Sequence, residues 1–371
     1  MYTPTTLVTA AAGKTGRQTA LSLLDRGLAV RALVHREDGR AAELRSRGAE
    51  VVVGNVSDVA DVRRALRGVQ RAYWTAPIGP GALEAATLFA AIAEEQHLEV
   101  VVAMSQWLAD PGHPSAHTRA EWLSDQVFSW MPTVASITVN PGFFAENYLY
   151  TLDAVAQFGL FTAPYGDGRN APPSNEDIAA VAAALLADPG PHLGRSYRPT
   201  GPELISPSDY TEILSRVLGR TIRYVDVPFA IMAKAARVVG FNDYTVMQLR
   251  WYAEELKAGT FAIGAPTDAV ERLTGTAPES METIARRYLA TTPGTTRGPS
   301  GMVRAMSVLA KTMLAAGPSQ KRYLAAYQDG ASYGTLAADS EQWHATHDPD
   351  RRLRPVPSTH ADPTAITELA R

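Results

Sequence analysis

The chain has 371 residues, 46% of them hydrophobic and 20% charged, with a formal net charge of −3 and no cysteine. This is the balance of a globular protein with room for a full core, on the order of two domains of ~150 residues. Without cysteine there can be no disulfide, thiolate metal site or thiol nucleophile, and the small net charge provides no global field for nucleic acid.

The first 145 residues predict alternating strands and helices. Strands are expected over 6–10, 29–35, 50–53, 72–75, 100–104 and 134–139, and helices over 16–26, 40–47, 59–66, 83–95 and 119–130. The strand segments are continuous apolar runs, which suits parallel strands covered on both faces. Alternation of this kind means an α/β doubly wound parallel sheet. After about residue 150 the segments become longer, more helical and richer in Pro and Gly. Helices are expected over 178–186, over 208–218 with Ser206 or Ser208 as cap, and over 229–258, with a strand over 221–227. The stretch PGTTRGP at 293–299 reads as a linker. Beyond it, Met302, Met306, Leu309 and Met313 recur at helical spacing, so a core-facing or partner-facing helix is expected, followed by a polar tail from about Asp348.

No membrane segment is expected. The N-terminal MYTPTTLVTAAAGKTG has no basic region ahead of an apolar run. The apolar runs at 229–241 and 302–316 are interrupted by Lys234 and Arg237 and by Arg304 and Lys311, and fall short of the ~20 apolar residues of a spanning helix. A cytoplasmic location follows as the expectation. Arg63, Arg64 and Arg67 read as a solvated helix face, so no direct nucleic-acid contact is expected. The run Trp343-His344-x-x-His347 has helical spacing for metal ligands but no third ligand, and no metal is assigned to it.

The most informative segment is 8–20, VTAAAGKTGRQTA. A short strand enters a loop of small residues, Ala10, Ala11, Ala12, Gly13, Lys14, Thr15 and Gly16, and the loop opens a helix. Small residues let the backbone approach a pyrophosphate, and the helix N-terminus offers free N–H groups and the positive end of a dipole. Ala10 replaces the usual first glycine. After the second strand, Arg36 with Arg40 one turn on suits a 2′-phosphate and favours NADP(H) over NAD(H). Glu37 and Asp38 are the competing carboxylates, either of which could take a ribose 2′-hydroxyl.

Six segments then carry a family resemblance: VTAAAGKTGRQTA at 8–20, VRALVHR at 30–36, GNVSD at 54–58, NPGFFAEN at 140–147, EDIAAVAAALLADP at 176–189, and TGPELIS with LSRVLGR at 200–220. In order and spacing they resemble the NmrA-like proteins, an atypical branch of the short-chain dehydrogenase/reductase superfamily, over roughly residues 5–290. The resemblance implies a Rossmann-type domain over 1–150 with returning segments from 151–205, a smaller and mostly helical lobe over 151–295, and an extension over 296–371 beyond the matched part. It also implies that Asn55 lies by the adenine, that Thr75, Ala76 and Pro77 line the cofactor, and that Pro141, Phe143 and Phe144 lie near the nicotinamide.

The superfamily's Tyr-x-x-x-Lys pair is missing: no tyrosine has a lysine four residues on, and there is no lysine between Lys14 and Lys234. Some relatives use a lone lysine in the helix before the sixth strand; counted back from Pro141, that position is Glu121. Three groups remain for proton transfer. Ser105 ends the fifth strand, and His117 and Glu121, four apart, share a helix face, with His117 as the acid and Glu121 as its orienter. The expectation is an NADPH-dependent oxidoreductase acting on a small carbonyl, quinone or enone. Two alternatives stand beside it: a non-catalytic NADP(H) sensor that regulates a partner, and a non-redox isomerase or cyclase using the old cleft. A homodimer or a regulatory protein partner is left open.

Overall fold

Short apolar runs become strands because helices on both sides cover them. In the computed structural model, which describes residues 4–76, 78–327 and 334–348, TTLV forms β1 (Thr5–Val8) with Leu7 and Val8 fully buried. There follow α1 (Lys14–Asp25), β2 (Ala29–Val34), α2 (Gly39–Ser46), β3 (Glu50–Val53), α3 (Val59–Leu66), β4 (Arg71–Trp74), α4 (Ala82–Glu95), β5 (Val100–Met104), α5 (Ala116–Ser129) and β6 (Ala135–Val139). The chain leaves the sheet through α6 (Glu146–Leu149), α7 (Leu152–Phe158) and β7 (Leu160–Ala163), then returns to it with α8 (Asn175–Ala187) and β8 (Ser196–Tyr197). It leaves again through α9 (Pro207–Leu218), β9 (Arg223–Asp226), α10 (Phe229–Val238), α11 (Asp243–Lys257), α12 (Ala269–Thr274) and α13 (Met281–Thr291). Helices α14 (Pro299–Leu314), α15 (Gln320–Tyr327) and α16 (Glu341–His347) follow.

The main sheet runs β3-β2-β1-β4-β5-β6-β8, all parallel, with Leu7 of β1 facing Arg31 of β2 on one side and Ala72 of β4 on the other. This is a Rossmann-type doubly wound sheet, and its order reverses between β1 and β4. A crevice therefore opens at the carboxyl ends of these two strands, where ligands of such sheets bind. One face is covered by α1 and α8, which pack Ala20, Leu23, Val181 and Leu185 against it. Val62, Leu66, Phe89 and Phe128 from α3, α4 and α5 cover the other. The helical C-terminal region has its own core, in which Phe143, Tyr148, Phe161, Tyr165 and Tyr210 meet largely edge to face. β7 and β9 pair there as a separate parallel ribbon.

Several boundaries differ from the sequence expectation for local reasons. α5 begins at Ala116 rather than 119, because the Ser115 hydroxyl caps it by accepting from the Thr118 N–H at 3.2 Å. Ser206, not Ser208, caps α9, in a reciprocal capping box with Asp209. The run 229–258 is two helices. Gly240 turns the chain with φ +99, and the Asn242 side chain then starts α11 by accepting from the Thr245 N–H.

The methionine stripe of α14 does not face the core. Met306, Leu309 and Met313 are exposed, and Gly301, Ala305 and Thr312 make the packed face. Close packing against the body needs small side chains, so the bulky residues are left outside. Among the described residues no helix is long and apolar enough to cross a membrane.

Residues 334–348 fold back onto the loop after β5. Ser340 donates to Asp110 at 2.8 Å, the Ala338 N–H donates to Glu255 at 3.3 Å, and the Trp343 indole N–H donates to the Trp107 carbonyl at 2.9 Å. Glu255 is fully buried and also meets His113 at 2.9 Å. His344 meets the Ala338 carbonyl and His347 stacks on Trp343, so both histidines of the HxxH run serve this packing. Trp343 is completely buried. Its replacement W343A should lower stability by about 3–5 kcal/mol, as loss of a large core side chain does. Urea unfolding would measure this, and a change under about 1 kcal/mol would mean that α16 lies outside the cooperative core.

Candidate active site

The loop between β1 and α1 is built by steric necessity. Gly16 lies so close to the preceding strand that a Cβ on it would stand 2.5 Å from the Ala10 carbonyl oxygen and 2.9 Å from that of Thr9. A Cβ at Gly13 would meet the same Ala10 oxygen at 3.0 Å. The Gly13 N–H donates to that oxygen at 2.7 Å, which tightens the turn. Ala10, where the family pattern has glycine, takes the left-handed conformation with φ +44. That conformation costs an L-residue roughly 1–2 kcal/mol. Gly13 is the N-cap of α1 and offers no side-chain cap, so the first N–H groups of the helix are left for a ligand.

A cleft of 440 Å³ opens at this point. Ala10, Gly13, Lys14, Thr15 and Gly16 line it from the loop, and Thr75 and Ala76 from the end of β4. Ser105, His117 and Glu121 line it from β5 and α5, and Pro141 and Phe144 from beyond β6. Thr9 ties the rim together, donating to the Thr75 carbonyl at 2.8 Å and accepting from the Thr75 N–H at 2.9 Å. Lys14 reaches Glu146 at 2.5 Å and lies 4.8 Å over the ring of Tyr150. Burial opposes its charge, but Tyr150 and Glu146 outweigh that and hold its pKa above the usual value.

Not every expected residue joins the cleft. Ala11 is fully buried beneath the loop. Ala12 lines an adjoining cavity of 340 Å³ together with Arg17 and Arg40. Phe143 turns the other way, into the aromatic core between Tyr148, Tyr165 and Phe261 with 1% of its surface exposed, so its neighbour Phe144 alone covers the cleft. Asn55 lines neither cavity: its side chain accepts from the Ser57 N–H and its own N–H donates to Asp61, which closes a surface turn. Arg36 is exposed outside both linings, 3.8 Å from Asp38. Pro77 lies outside the described residues.

The competing carboxylates after β2 are both engaged. Asp38 caps α2 by accepting from the N–H groups of Arg40 and Ala41, and it holds the Arg40 guanidinium at 2.7 Å. That guanidinium, with the two N–H groups, pulls its pKa down to about 2. Glu37 pairs with Arg45.

The proton-carrying groups are arranged differently from the sequence expectation. His117 and Glu121 do share a face of α5, but His117 Nε2 stands 3.7 Å from Glu121 Oε1, too long for a hydrogen bond. Burial pushes the His117 pKa down to about 4, so the ring is neutral at pH 7, and its Nδ1 has no partner. Burial and then the neighbouring Asp125 push Glu121 up to about 8. Asp125 rises to about 7 through burial, held back by the Ser105 hydroxyl, which donates to it at 2.6 Å. Burial thus favours the neutral form of both members of the expected pair, the uncharged imidazole and the protonated carboxyl.

The sequence reading missed the far wall. Tyr252 of α11 lines the cleft and donates to Gln106 at 3.2 Å, and Tyr150, Asn175 and Glu146 complete the mouth. These come from the helical region, where no motif spacing links a residue to the loop it will face. For Glu146 and Asn147 the signal was present in the NPGFFAEN run.

The fold and this loop define an NAD(P)H-binding Rossmann protein, and the sequence model of the NAD(P)H-binding family matches residues 10–135. The chain is 34% identical over 273 residues, 72% of its length and 92% of the relative's, to a (4-alkanoyl-5-oxo-2,5-dihydrofuran-3-yl)methyl phosphate reductase of Streptomyces griseus. Its fold is similar to that of an NADPH-dependent quinone oxidoreductase of Escherichia coli complexed with NADPH, with a TM-score of 0.67 and 21% identity over 77% of this chain and 99% of that one. It is also similar to NmrA, a negative transcriptional regulator in complex with NADP, with a TM-score of 0.65 and 18% identity over 78% and 97% of the two chains. The chain belongs to the same NAD(P)H-binding family as that Streptomyces reductase.

The residues present fit such a cofactor. The glycine cradle leaves no room for a Cβ, and the uncapped α1 N-terminus presents donors for a pyrophosphate. A bulky side chain at the cradle should displace the loop: in G16V, calorimetric titration should show NADPH affinity falling by at least about a hundredfold, the scale of a lost backbone cradle of charge-assisted bonds. A10G should act in the opposite sense. Relief of the left-handed strain outweighs the added freedom of the unfolded glycine by about 0.5–1 kcal/mol, so thermal unfolding should shift upward.

Proposed function

We propose that the protein is an NADPH-dependent reductase of a small conjugated carbonyl compound, an enone, quinone or related carbonyl. The observation that carries this reading is a single cleft lined both by the uncapped N-terminus of α1 and by Glu121, a half-buried carboxyl group whose pKa is pushed up to about 8 by its surroundings. The reductase named among the relatives acts on an oxo-dihydrofuran carrying an alkanoyl group, itself a conjugated carbonyl.

When bound, the nicotinamide supplies the hydride. The chain supplies the rest. The backbone N–H groups of Lys14, Thr15 and Gly16 at the start of α1 would hold the phosphates, with the Lys14 side chain as the adjacent cation. Arg36 and Arg40 favour NADPH over NADH, because Glu37 and Asp38 are occupied by arginine and by a helix cap and are not free to take a ribose hydroxyl. Glu121 gives its proton to the substrate as charge develops there. Neutral His117 offers a hydrogen bond but not a proton, and Ser105 holds Asp125. Phe144, Met104 and Tyr252 exclude water.

A non-catalytic cofactor sensor is the alternative from the same family, and turnover separates the two. Loss of NADPH absorbance with a quinone, an enone or a simple ketone is the expected result. Tight NADPH binding without turnover on any of the three would overturn the reductase reading.

The acid must be protonated to act, so kcat should hold below about pH 8 and fall above it. E121Q should lower kcat by at least about a hundredfold and abolish that limb. Stability has the same sign. The Glu121 pKa rises on folding from an ordinary 4.5 to about 8, so wild-type stability declines as pH rises through that window. E121Q should therefore gain stability relative to the wild type at pH 9, which chemical unfolding at two pH values would show.

A further inference from the structure

The cofactor cleft is not the only cavity beside β5. A second one, of 810 Å³, lies at the other edge of the sheet between α5, β8 and α12. Gln106 belongs to both walls, and the 2.6 Å bond from Ser105, which lines the cleft, to Asp125, which lines the second cavity, separates them. The volume is that of a small-molecule site.

Its electrostatics are lopsided. Among the described residues the lining carries Arg195, Arg198 and Arg272, the last also meeting Asp268 outside the lining at 3.4 Å, against one carboxyl, Asp125, whose pKa burial raises to about 7. Arg198 is the unusual member. It is 6% exposed, its guanidinium donates to the carbonyls of Phe261 and Ile263 and lies 3.7 Å over the Trp107 ring, and it has no carboxylate within ion-pairing distance among the described residues. Burial lowers its pKa only to about 9, which leaves the charge in place at neutral pH. A buried cation without a counter-charge is costly unless something else supplies one.

Three polar atoms at this wall are left over as well. Arg198 Nε and Gln106 Nε2 are buried donors without an acceptor, and Asn140 Oδ1 is a buried acceptor without a donor. Folded proteins rarely leave such groups unpaired, and three around one cavity point to a missing partner. The other walls are aromatic: Trp107, Trp122 and Tyr197. The exposed Arg195 and Arg272 stand at the margin, where a guanidinium can grip a planar anion bidentately.

We propose that this second cavity binds a small organic anion, a carboxylate or a phosphate monoester on an apolar body. The anion balances Arg198, accepts from Gln106 and from the rim arginines, and lays its body against the aromatic walls. The site is distinct from the cofactor cleft, and the proposal stands whether or not that cleft carries out the reduction.

The test is calorimetric titration of the full chain with phenyl phosphate and with benzoate, first alone and then in the presence of saturating NADPH. Benzamide serves as the uncharged control. Arg198 is left intact, because its carbonyl contacts also hold the loop at 261–263; the double variant R195A/R272A changes only exposed side chains. Saturable binding that persists with NADPH present and weakens at least roughly tenfold in the double variant is the expected result. Binding of the phosphate alone or of the carboxylate alone supports the proposal and names the anion. The proposal is overturned if neither probe binds at millimolar concentration, if benzamide binds equally well, or if affinity is unchanged in the double variant. Displacement of the probes by NADPH would also overturn it, since the anion would then occupy the cofactor's phosphate cradle.

Discussion

The close approach of Gly16 to the carbonyls of Thr9 and Ala10 is the constraint on which the rest of the molecule depends. It sets the angle at which α1 leaves β1, and that angle decides where the uncapped N–H groups of the helix point. It also lets α1 lie flat on the sheet beside α8, with Ala20 and Leu23 buried under it. Binding and folding thus use one contact. Ala10 shows how firmly the loop is held, for an L-residue accepts the left-handed conformation only where its surroundings allow no other path.

A second constraint acts across the sheet. Glu121 and Asp125 stand one turn apart on α5, both in surroundings that favour the neutral acid, and no lysine or arginine pairs with either among the described residues. In this chain the desolvation of Glu121 and Asp125 raises the pKa of both carboxyl groups. Desolvation that raises the Glu121 pKa lowers that of His117, so one physical cause favours the neutral form of two residues on one helical face.

The Rossmann half was legible from sequence because its signals are local. Continuous apolar runs such as VVVAM, small residues at 10–16 and caps before helices each bear on their own few residues, and the elements fall where these signals put them, give or take a turn. The failures are of another kind. Phe143 and Phe144 are adjacent and alike, and only packing decides that one enters the aromatic core and the other the cleft. His117 and Glu121 share a face, as spacing required, but which of them carries the proton depends on burial that no spacing encodes. Tyr252 is more than a hundred residues from the loop it faces. The methionine stripe of α14 shows the period of an amphipathic helix, and the period is silent about which face meets the body when small residues pack more closely than large ones.

The extension beyond the part that resembles the family acts on the same region from outside. Trp343 packs edge to face against Trp107 and donates to its carbonyl, and the guanidinium of Arg198 lies over the Trp107 ring. Trp107 follows Ser105 and Gln106, the residues that divide the two cavities. Residues 334–348 therefore brace the partition rather than an outlying surface, and Glu255 of α11, which accepts from the Ala338 N–H and meets His113, ties that brace and the loop after β5 to one helix. A shift of α16 would be felt at Trp107, and through it at the wall that separates the acid cluster from the cationic cavity.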